Sequence, residues 1–278
     1  MKLSKEELNK KAILARRNVV ETVHYAGAGH VGGPMSAIDV LTYLYFKEMN
    51  IDSENPRAED RDRFILSKGH SAVGLYAVLA QRGFFPEEEL KTFDAINSRL
   101  QAHPDMNLLP GLDMSTGSLG QGISAAVGIA IGAKLQNKEF RTYCMIGDGE
   151  SQEGQVWEAA DIASKYKLDN FVAIMDYNKL QQFGWNGEGE AREIPVVQPE
   201  KRWKAFGWHV ISIDGHNFTE LEQAFDEAKS VKEKPTIIIA NTVKGKGISF
   251  MENQFLWHSR VPTDDELAYA LDELKVEG

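Results

Sequence analysis

An α/β protein with a mostly parallel sheet covered by helices on both faces is the fold class this sequence predicts, and three observations predict it. Short apolar runs alternate with helix-period segments along most of the chain, the pattern of strands joined by crossover helices. Two of those runs, Tyr143-Cys144-Met145-Ile146 and Phe171-Val172-Ala173-Ile174-Met175, are continuously apolar, as strands buried on both faces are. Between them, Gln155 to Lys167 has the period and length of a helix able to make a right-handed crossover. The first run leads into Gly147-Asp148-Gly149-Glu150 and the second into Asp176-Tyr177-Asn178-Lys179-Leu180. The Asp148 carboxylate and the Asn178 amide oxygen therefore emerge at the carboxyl ends of neighbouring strands, where open α/β sheets bind ligands. Two hard oxygens over a glycine-flanked turn suit a Mg2+ that leaves its other positions to phosphate oxygens and water. The pair reads as a divalent-metal clamp for a diphosphate.

The remaining elements follow in order. Ser4 and Glu7 form a capping box, and Leu8, Ala12, Leu14, Ala15 and Val19 carry a helix towards Tyr25. A glycine-rich stretch, Gly27 to Pro34, ends it, and a second helix covers Ser36 to Met49. Asp62 to Ser67 reads as a short strand leading into Lys68-Gly69-His70 and a small-residue helix from Ser71 to Arg82. Pro86 starts a short helix through Phe93. Asn97 to Met114, with Pro104 and Pro110, reads as a loop. After Gly117-Ser118-Leu119-Gly120-Gln121-Gly122 comes an alanine- and glycine-rich helix from Ile123 to Leu135, suited to close packing. An irregular, glycine-rich stretch spans Phe183 to Pro199. A helix at Glu200–Phe206, a strand at Trp208–Ile213, a helix at Thr219–Val231 and a strand at Thr236–Ala240 complete the alternation, and an amphipathic stretch runs from Thr263 to Leu274. With no repeat, low-complexity tract or linker, residues 1–278 read as one domain with a short N-terminal helical extension and a C-terminal tail.

Composition narrows the function classes. The 278 residues suffice for a substantial core, and 42% hydrophobic with 26% charged content is ordinary for a soluble globular protein. A net charge of -10 argues against a nucleic-acid surface, which needs a basic stripe. The single cysteine, Cys144, lies inside an apolar strand run, which excludes a disulfide framework and fits a reducing compartment. No apolar run approaches a membrane span, and the charged, capped N-terminus is not a secretory signal. A cytoplasmic protein is the expectation.

A G-D-G after a strand is common by itself; the second strand ending in Asn about thirty residues later makes the pattern specific. With both in place, the chain resembles the diphosphate-binding domain of thiamine diphosphate enzymes. Four of the seven histidines stand out in loop contexts: His30, His70 and His103, beside glycine or proline, and His258, between Trp257 and Ser259. Gly27-Ala28-Gly29-His30, Asp62 to His70, His103-Pro104 and Ser115 to Gly122 are, in order and spacing, the motifs of transketolase. The resemblance runs from end to end, including Phe206-Gly207-Trp208-His209 and Asp214-Gly215-His216.

The resemblance implies thiamine diphosphate and Mg2+ as cofactors, with Ca2+ or Mn2+ as substitutes. It matches Asp148, Asn178 and the main-chain carbonyl of Leu180 to the metal ligands. Gly149 and Asn178 match diphosphate contacts, and His70, Gly117, Ser118 and Leu119 match contacts around the diphosphate and aminopyrimidine. Gln182 lies where some relatives touch the thiazolium. Lys244 and His258 match a cationic pair near the diphosphate, whereas Lys246 reads as a solvated turn residue. His30, His103 and His258 match substrate-facing histidines. That role suits the residue type: ketol transfer needs hydrogen bonds to hydroxyls and proton movement near neutrality. His209 and His216 read as structural, and His24 has no comparable setting. By the same resemblance Glu153 matches an interface glutamate coupling paired sites; a helix N-terminal acid complementing the dipole is the alternative.

In this family the glutamate that activates the cofactor ring comes from a pyrimidine-binding domain beyond the region seen here, and the sequence ends at Gly278. The resemblance thus implies the N-terminal subunit of a split transketolase, acting on sugar phosphates in an α2β2 heterotetramer with a C-terminal, pyrimidine-binding partner chain. The α subunit of a 2-oxo acid dehydrogenase shares the clamp, but the motifs at Asp62–His70 and Ser115–Gly122 are transketolase-like; a deoxyxylulose phosphate synthase fragment fails on the same motifs. A non-catalytic thiamine diphosphate-binding module would have no use for the four loop histidines.

Overall fold

A computed structural model describes residues 3–182 and 194–276. The first helix, α1 (Lys5–Ala26), opens on the expected capping box: Ser4 Oγ accepts the Glu7 N–H at 3.2 Å and the Glu7 carboxylate accepts the Ser4 N–H at 2.7 Å. Gly27, in the left-handed conformation, ends it. Leu8, Ala12, Ala15, Val19 and Val23 recur every three or four residues and are buried. They belong to the larger apolar core, so this helix is packed into the body of the fold.

The second helix departs from expectation. α2 (Gly32–Tyr43) starts inside the glycine-rich stretch expected to be a loop, and it continues through a π-helical turn, Leu44–Glu48. Pro34 is tolerated because first-turn N–H groups have no intrahelical acceptor. Gly32 is required by close approach: a Cβ there would meet Lys244 Cγ and the Trp257 carbonyl at 2.9 Å.

The rest alternates as predicted: β1 (Arg63–Leu66), α3 (Ala72–Arg82), α4 (Gln121–Leu135), β2 (Thr142–Gly147), α5 (Gly154–Lys165), β3 (Phe171–Tyr177), α6 (Pro199–Ala205), β4 (His209–Asp214), α7 (Phe218–Ser230), β5 (Thr236–Asn241) and α8 (Asp264–Glu273). Pro86 leads into a 3-10 turn, Glu87–Thr92, rather than an α-helix. Residues 97–114 form the expected loop. The irregular stretch expected at Phe183–Pro199 lies largely outside the described residues; 194–198 are irregular.

Among the described residues the sheet has five strands in the order β1-β2-β3-β5-β4, and every pairing is parallel. Alternate side chains feed two cores. Tyr143, Met145, Val172, Ile174 and Ile238 pack with α1, α2, α3 and α7; Cys144, Ile146, Ala173, Met175, Ile237 and Ile239 pack with α4, α5 and α6. Burial on both faces explains why β2 and β3 read as unbroken apolar runs. Gly147 of β2 is in register with Asp176 of β3, and Asp176 with Ala240 of β5. The loops after these three strands therefore emerge side by side. No described helix is long and apolar enough to cross a membrane.

Candidate cofactor and active site

A cleft of about 460 Å3 lies over those strand ends. It brings together residues from loops far apart in sequence: His30 before α2, His70 before α3, His103 with Gly117 and Leu119, Asp148 and Gly149 after β2, Asn178 and Leu180 to Gln182 after β3, and Lys244 and His258 after β5. Every residue assigned to the site from the sequence lines this cleft except Ser118, which is exposed outside it. Gly69 allows the histidine loop to approach the glycine loop, since a Cβ there would meet Gly117 N at 2.7 Å.

At the floor, Asp148 is 3% exposed. Its Oδ1 accepts the Gly149 N–H at 2.8 Å and its Oδ2 the Lys179 N–H at 2.6 Å. Lys179 adopts a left-handed backbone, φ 65°, uncommon for a non-glycine residue and placed where the chain turns beneath Asp148. No side-chain cation bonds to Asp148 among the described contacts. Burial, reinforced by the neighbouring Asp176 carboxylate, pushes its pKa up to about 7.

A buried carboxylate with no hydrogen-bonded cation tests the metal assignment, and the donors fit. Among the described residues Asn178 Oδ1 accepts only the Leu180 N–H, at 3.1 Å, and the Leu180 carbonyl receives Lys244 Nζ at 3.3 Å. A carboxylate, an amide oxygen and a carbonyl, each with lone-pair capacity left, form a hard-oxygen set for Mg2+ or Ca2+. Among the described residues no three His, Cys, Asp or Glu side chains form a metal cluster.

Asp176, one strand over, has different surroundings. It accepts Ser36 Oγ at 2.6 Å and Asn178 Nδ2 at 3.2 Å, and it takes hydrogen bonds from Thr242 Oγ1 and the buried Lys68 ammonium. Burial opposes its ionisation, but the charge and hydrogen bond of Lys68 hold its pKa below the ordinary carboxylate value. Glu150 is likewise a brace: its buried carboxylate accepts Ser67 Oγ at 2.5 Å, Gly120 N at 2.8 Å and Gly147 N at 3.0 Å. Sequence reading missed both roles, because their partners lie up to 140 residues away. The Lys68-Gly69-His70 triplet, noted only for its histidine, was the one available pointer.

Three imidazoles cluster above the floor. His30 and His70 have ring centroids 5.1 Å apart, His30 and His258 5.1 Å, and His70 and His258 5.2 Å. Burial, with the nearby positive charge of Lys244 and the other histidines, lowers His30 to about 4 and His258 to about 3; His70 falls well below its ordinary value for the same leading reason. All three are neutral at pH 7. Lys244 Nζ donates to His258 Nδ1 at 2.9 Å, which leaves the His258 proton on Nε2. The expected cationic pair is thus one cation, Lys244, and one neutral acceptor; burial lowers Lys244 itself to about 8.

His103 stands apart, exposed at the rim, with Gly117 close beside it: a Cβ on Gly117 would lie 3.1 Å from its ring. Glu153, the N-cap of α5, makes no side-chain capping bond and lines the cleft edge. Lys246 pairs with Glu252 at 3.4 Å, as a turn residue would. His209 contacts Glu227 at 2.7 Å on the surface, and His24 contacts the Pro262 carbonyl at 2.9 Å.

Known proteins agree with this architecture. Residues 8–277 match the family described as transketolase, thiamine diphosphate binding domain. The chain is 45% identical over 273 residues to the 6-deoxy-6-sulfo-D-fructose transketolase subunit of Clostridium sp. (strain MSTE9), covering 98% of both chains. It is 42% identical over 279 residues to an apulose-4-phosphate transketolase subunit of Actinobacillus succinogenes, covering 99% of this chain and 98% of that protein. The crystal structure of transketolase from Campylobacter jejuni superposes with a TM-score of 0.89 at 32% identity; the match covers 98% of this chain but only 43% of that one. The chain therefore spans about two fifths of that longer enzyme's length, and it belongs to the transketolase family.

Proposed function

We propose that this chain is the diphosphate-binding subunit of a two-chain, cytoplasmic transketolase. It would hold thiamine diphosphate with Mg2+ and, in an α2β2 assembly with a pyrimidine-binding partner, move a two-carbon ketol unit from a ketose phosphate to an aldose phosphate. The observation that carries this reading is the meeting of a receptive metal floor and three neutral histidines in one cleft. Relatives of the same length that are named transketolase subunits support the two-chain form.

Asp148, Asn178 and the Leu180 carbonyl would hold the cation, and the Gly149 amide, His70 and Lys244 would hold the diphosphate. When bound, the cofactor supplies the carbon nucleophile that accepts the two-carbon unit. The chain's own contribution is placement and proton handling. His30 is neutral, so it can offer one N–H and one lone pair to sugar hydroxyls and a carbonyl oxygen, whereas His258, whose Nδ1 lone pair already receives Lys244, can offer only an N–H. The Lys244 bond leaves His258 an N–H donor at Nε2. His103, at the rim, would meet the more distal part of a sugar phosphate.

The test is reconstitution of the chain with its partner, assayed with pentose phosphates and separately with pyruvate. Ketol transfer by the pair and none by the isolated chain is expected. Robust turnover by the isolated chain would remove the two-chain reading. Oxidative turnover of pyruvate alone would point to a 2-oxo acid dehydrogenase subunit, and inactivity with every partner to a binding module.

A further inference from the structure

Behind the cleft, side chains from three distant parts of the sequence form one line of hydrogen bonds ending on the backbone beside Lys244. Arg16 on α1 forks onto Asp39 on α2, with Nη1 to Oδ1 at 3.1 Å and Nη2 to Oδ2 at 2.5 Å. Nδ1 of His216, in the loop between β4 and α7, donates to the same Asp39 Oδ2 at 2.6 Å. The far ring nitrogen, Nε2, accepts the main-chain N–H of Val243 at 2.9 Å. Arg16 and Asp39 are buried.

A carboxylate–imidazole pair invites comparison with the acid–base pair of a hydrolase. Here that role is closed off, because the lone pair a base would use already receives an amide N–H. The same bond fixes the tautomer: Nε2 accepts, so Nδ1 carries the proton that Asp39 takes. Asp39 in turn is oriented from its other side by the Arg16 fork.

What this line holds is the turn after β5. Thr242 Oγ1 is tied to Asp176, Val243 N–H to His216, and Gly245 N–H to the Gly32 carbonyl at 3.0 Å. Lys244 lies between the last two ties and reaches His258 and the Leu180 carbonyl. Two residues of this turn, Gly245 and Gly247, sit at φ 77° and 92°, so the segment depends on such ties to keep one conformation. We infer that His216, held by Asp39 and Arg16, is a positioning residue that fixes the turn and aims the Lys244 ammonium into the cleft at an anionic ligand. That the anion is a diphosphate rests on the function proposed for the cleft.

Two variants separate positioning from plain structural support. His216→Asn keeps an amide N–H for Asp39 but is too short to reach Val243; His216→Gln places an amide oxygen near the position of Nε2. Leu8→Ala, which opens the buried core along α1, controls for a general loss of stability. On the full chain, His216→Asn should speed hydrogen exchange across residues 242–247 about tenfold while 236–241 stay protected, and should weaken calorimetric binding of inorganic pyrophosphate with Mg2+ about tenfold. His216→Gln should bring both to within about twofold of wild type, and Leu8→Ala should change neither selectively. Exchange at 242–247 that is unchanged in His216→Asn, or that rises no more than in Leu8→Ala, overturns the inference. A selective rise in exchange together with no pyrophosphate binding by the wild-type chain supports the positioning role and removes the diphosphate reading instead. If His216→Asn does not fold, wild-type protection of 242–247 in His216→Gln supports the inference, and its loss there overturns it.

Discussion

Asp148, directly after β2, and Asp176, near the end of the adjacent strand β3, are buried to the same depth, with 3% and 2% of their surface exposed, and of the two only Asp148 lines the cleft. Their surroundings are opposite. Asp176 sits in a nest where Lys68, Ser36, Thr242 and Asn178 all donate to it, and its charge is stabilised. Asp148 has two main-chain N–H donors and no bonded cation, and its pKa climbs to about 7. The comparison shows that burial alone does not mark a ligand site. A buried carboxylate with no cation bonded to it is the one we propose to receive a ligand. Asp176 is the rigid half of the pair and orients Asn178; Asp148 is the half proposed to be receptive.

Breaking the rigid half should have the largest effect. Asp176→Ala strands the Lys68 ammonium, 2% exposed, with the Gly33 carbonyl at 3.0 Å as its remaining partner. Loss of one member of a buried ion pair costs about 3–5 kcal/mol, to be read from urea unfolding. An unchanged unfolding free energy would mean that the nest is not what holds the floor.

A smaller effect is expected on the receptive side. Lys244→Met keeps the bulk and removes the charge, so diphosphate affinity should fall about tenfold, about 1.4 kcal/mol, while unfolding free energy shifts by less than about 1 kcal/mol. Calorimetry with thiamine diphosphate and a denaturation curve check the split. A loss of stability as large as the loss of affinity would blur the distinction between the halves.

The third prediction concerns pH and the network behind the floor. Burial works against the Asp39 charge, but Arg16 and the His216 hydrogen bond outweigh it and hold the carboxyl below its ordinary value of 3.8. A depressed carboxylate stabilises the fold above its unfolded value, and that contribution fades as pH falls through the folded one. Wild type should therefore lose stability steeply below about pH 4, and Asp39→Asn, less stable to begin with, should show a shallower acid limb by circular dichroism. Parallel limbs would remove Asp39 from the acid response.

Much of this was legible in sequence because the signals were local. The apolar runs before Asp148 and Asn178, the crossover helix between them and the Ser4–Glu7 cap each occupy one short window, and each forms close to where it was expected. His30, His70 and His103 were visible through their glycine or proline neighbours. What escaped was tertiary. Gly32 and Gly33 read as a loop because propensity does not register that Lys244 and Trp257 pack against that helix start. The Lys68–Asp176 pair and the Glu150 brace join residues whose proximity only the sheet creates. His258 was expected to be charged, and its neutrality follows from burial beside Lys244, which spacing cannot reveal.

The most direct measurement is the affinity of the partnered enzyme for thiamine diphosphate, by titration calorimetry, with Mg2+ and with the metal chelated, in wild type and in Asp148→Asn. Wild type should bind only with the metal, and Asp148→Asn should lose about a hundredfold, about 2.7 kcal/mol, while its melting temperature stays within a few degrees of wild type. Unchanged, metal-dependent affinity in Asp148→Asn would contradict the account, because the receptive half of the floor would then not be the clamp.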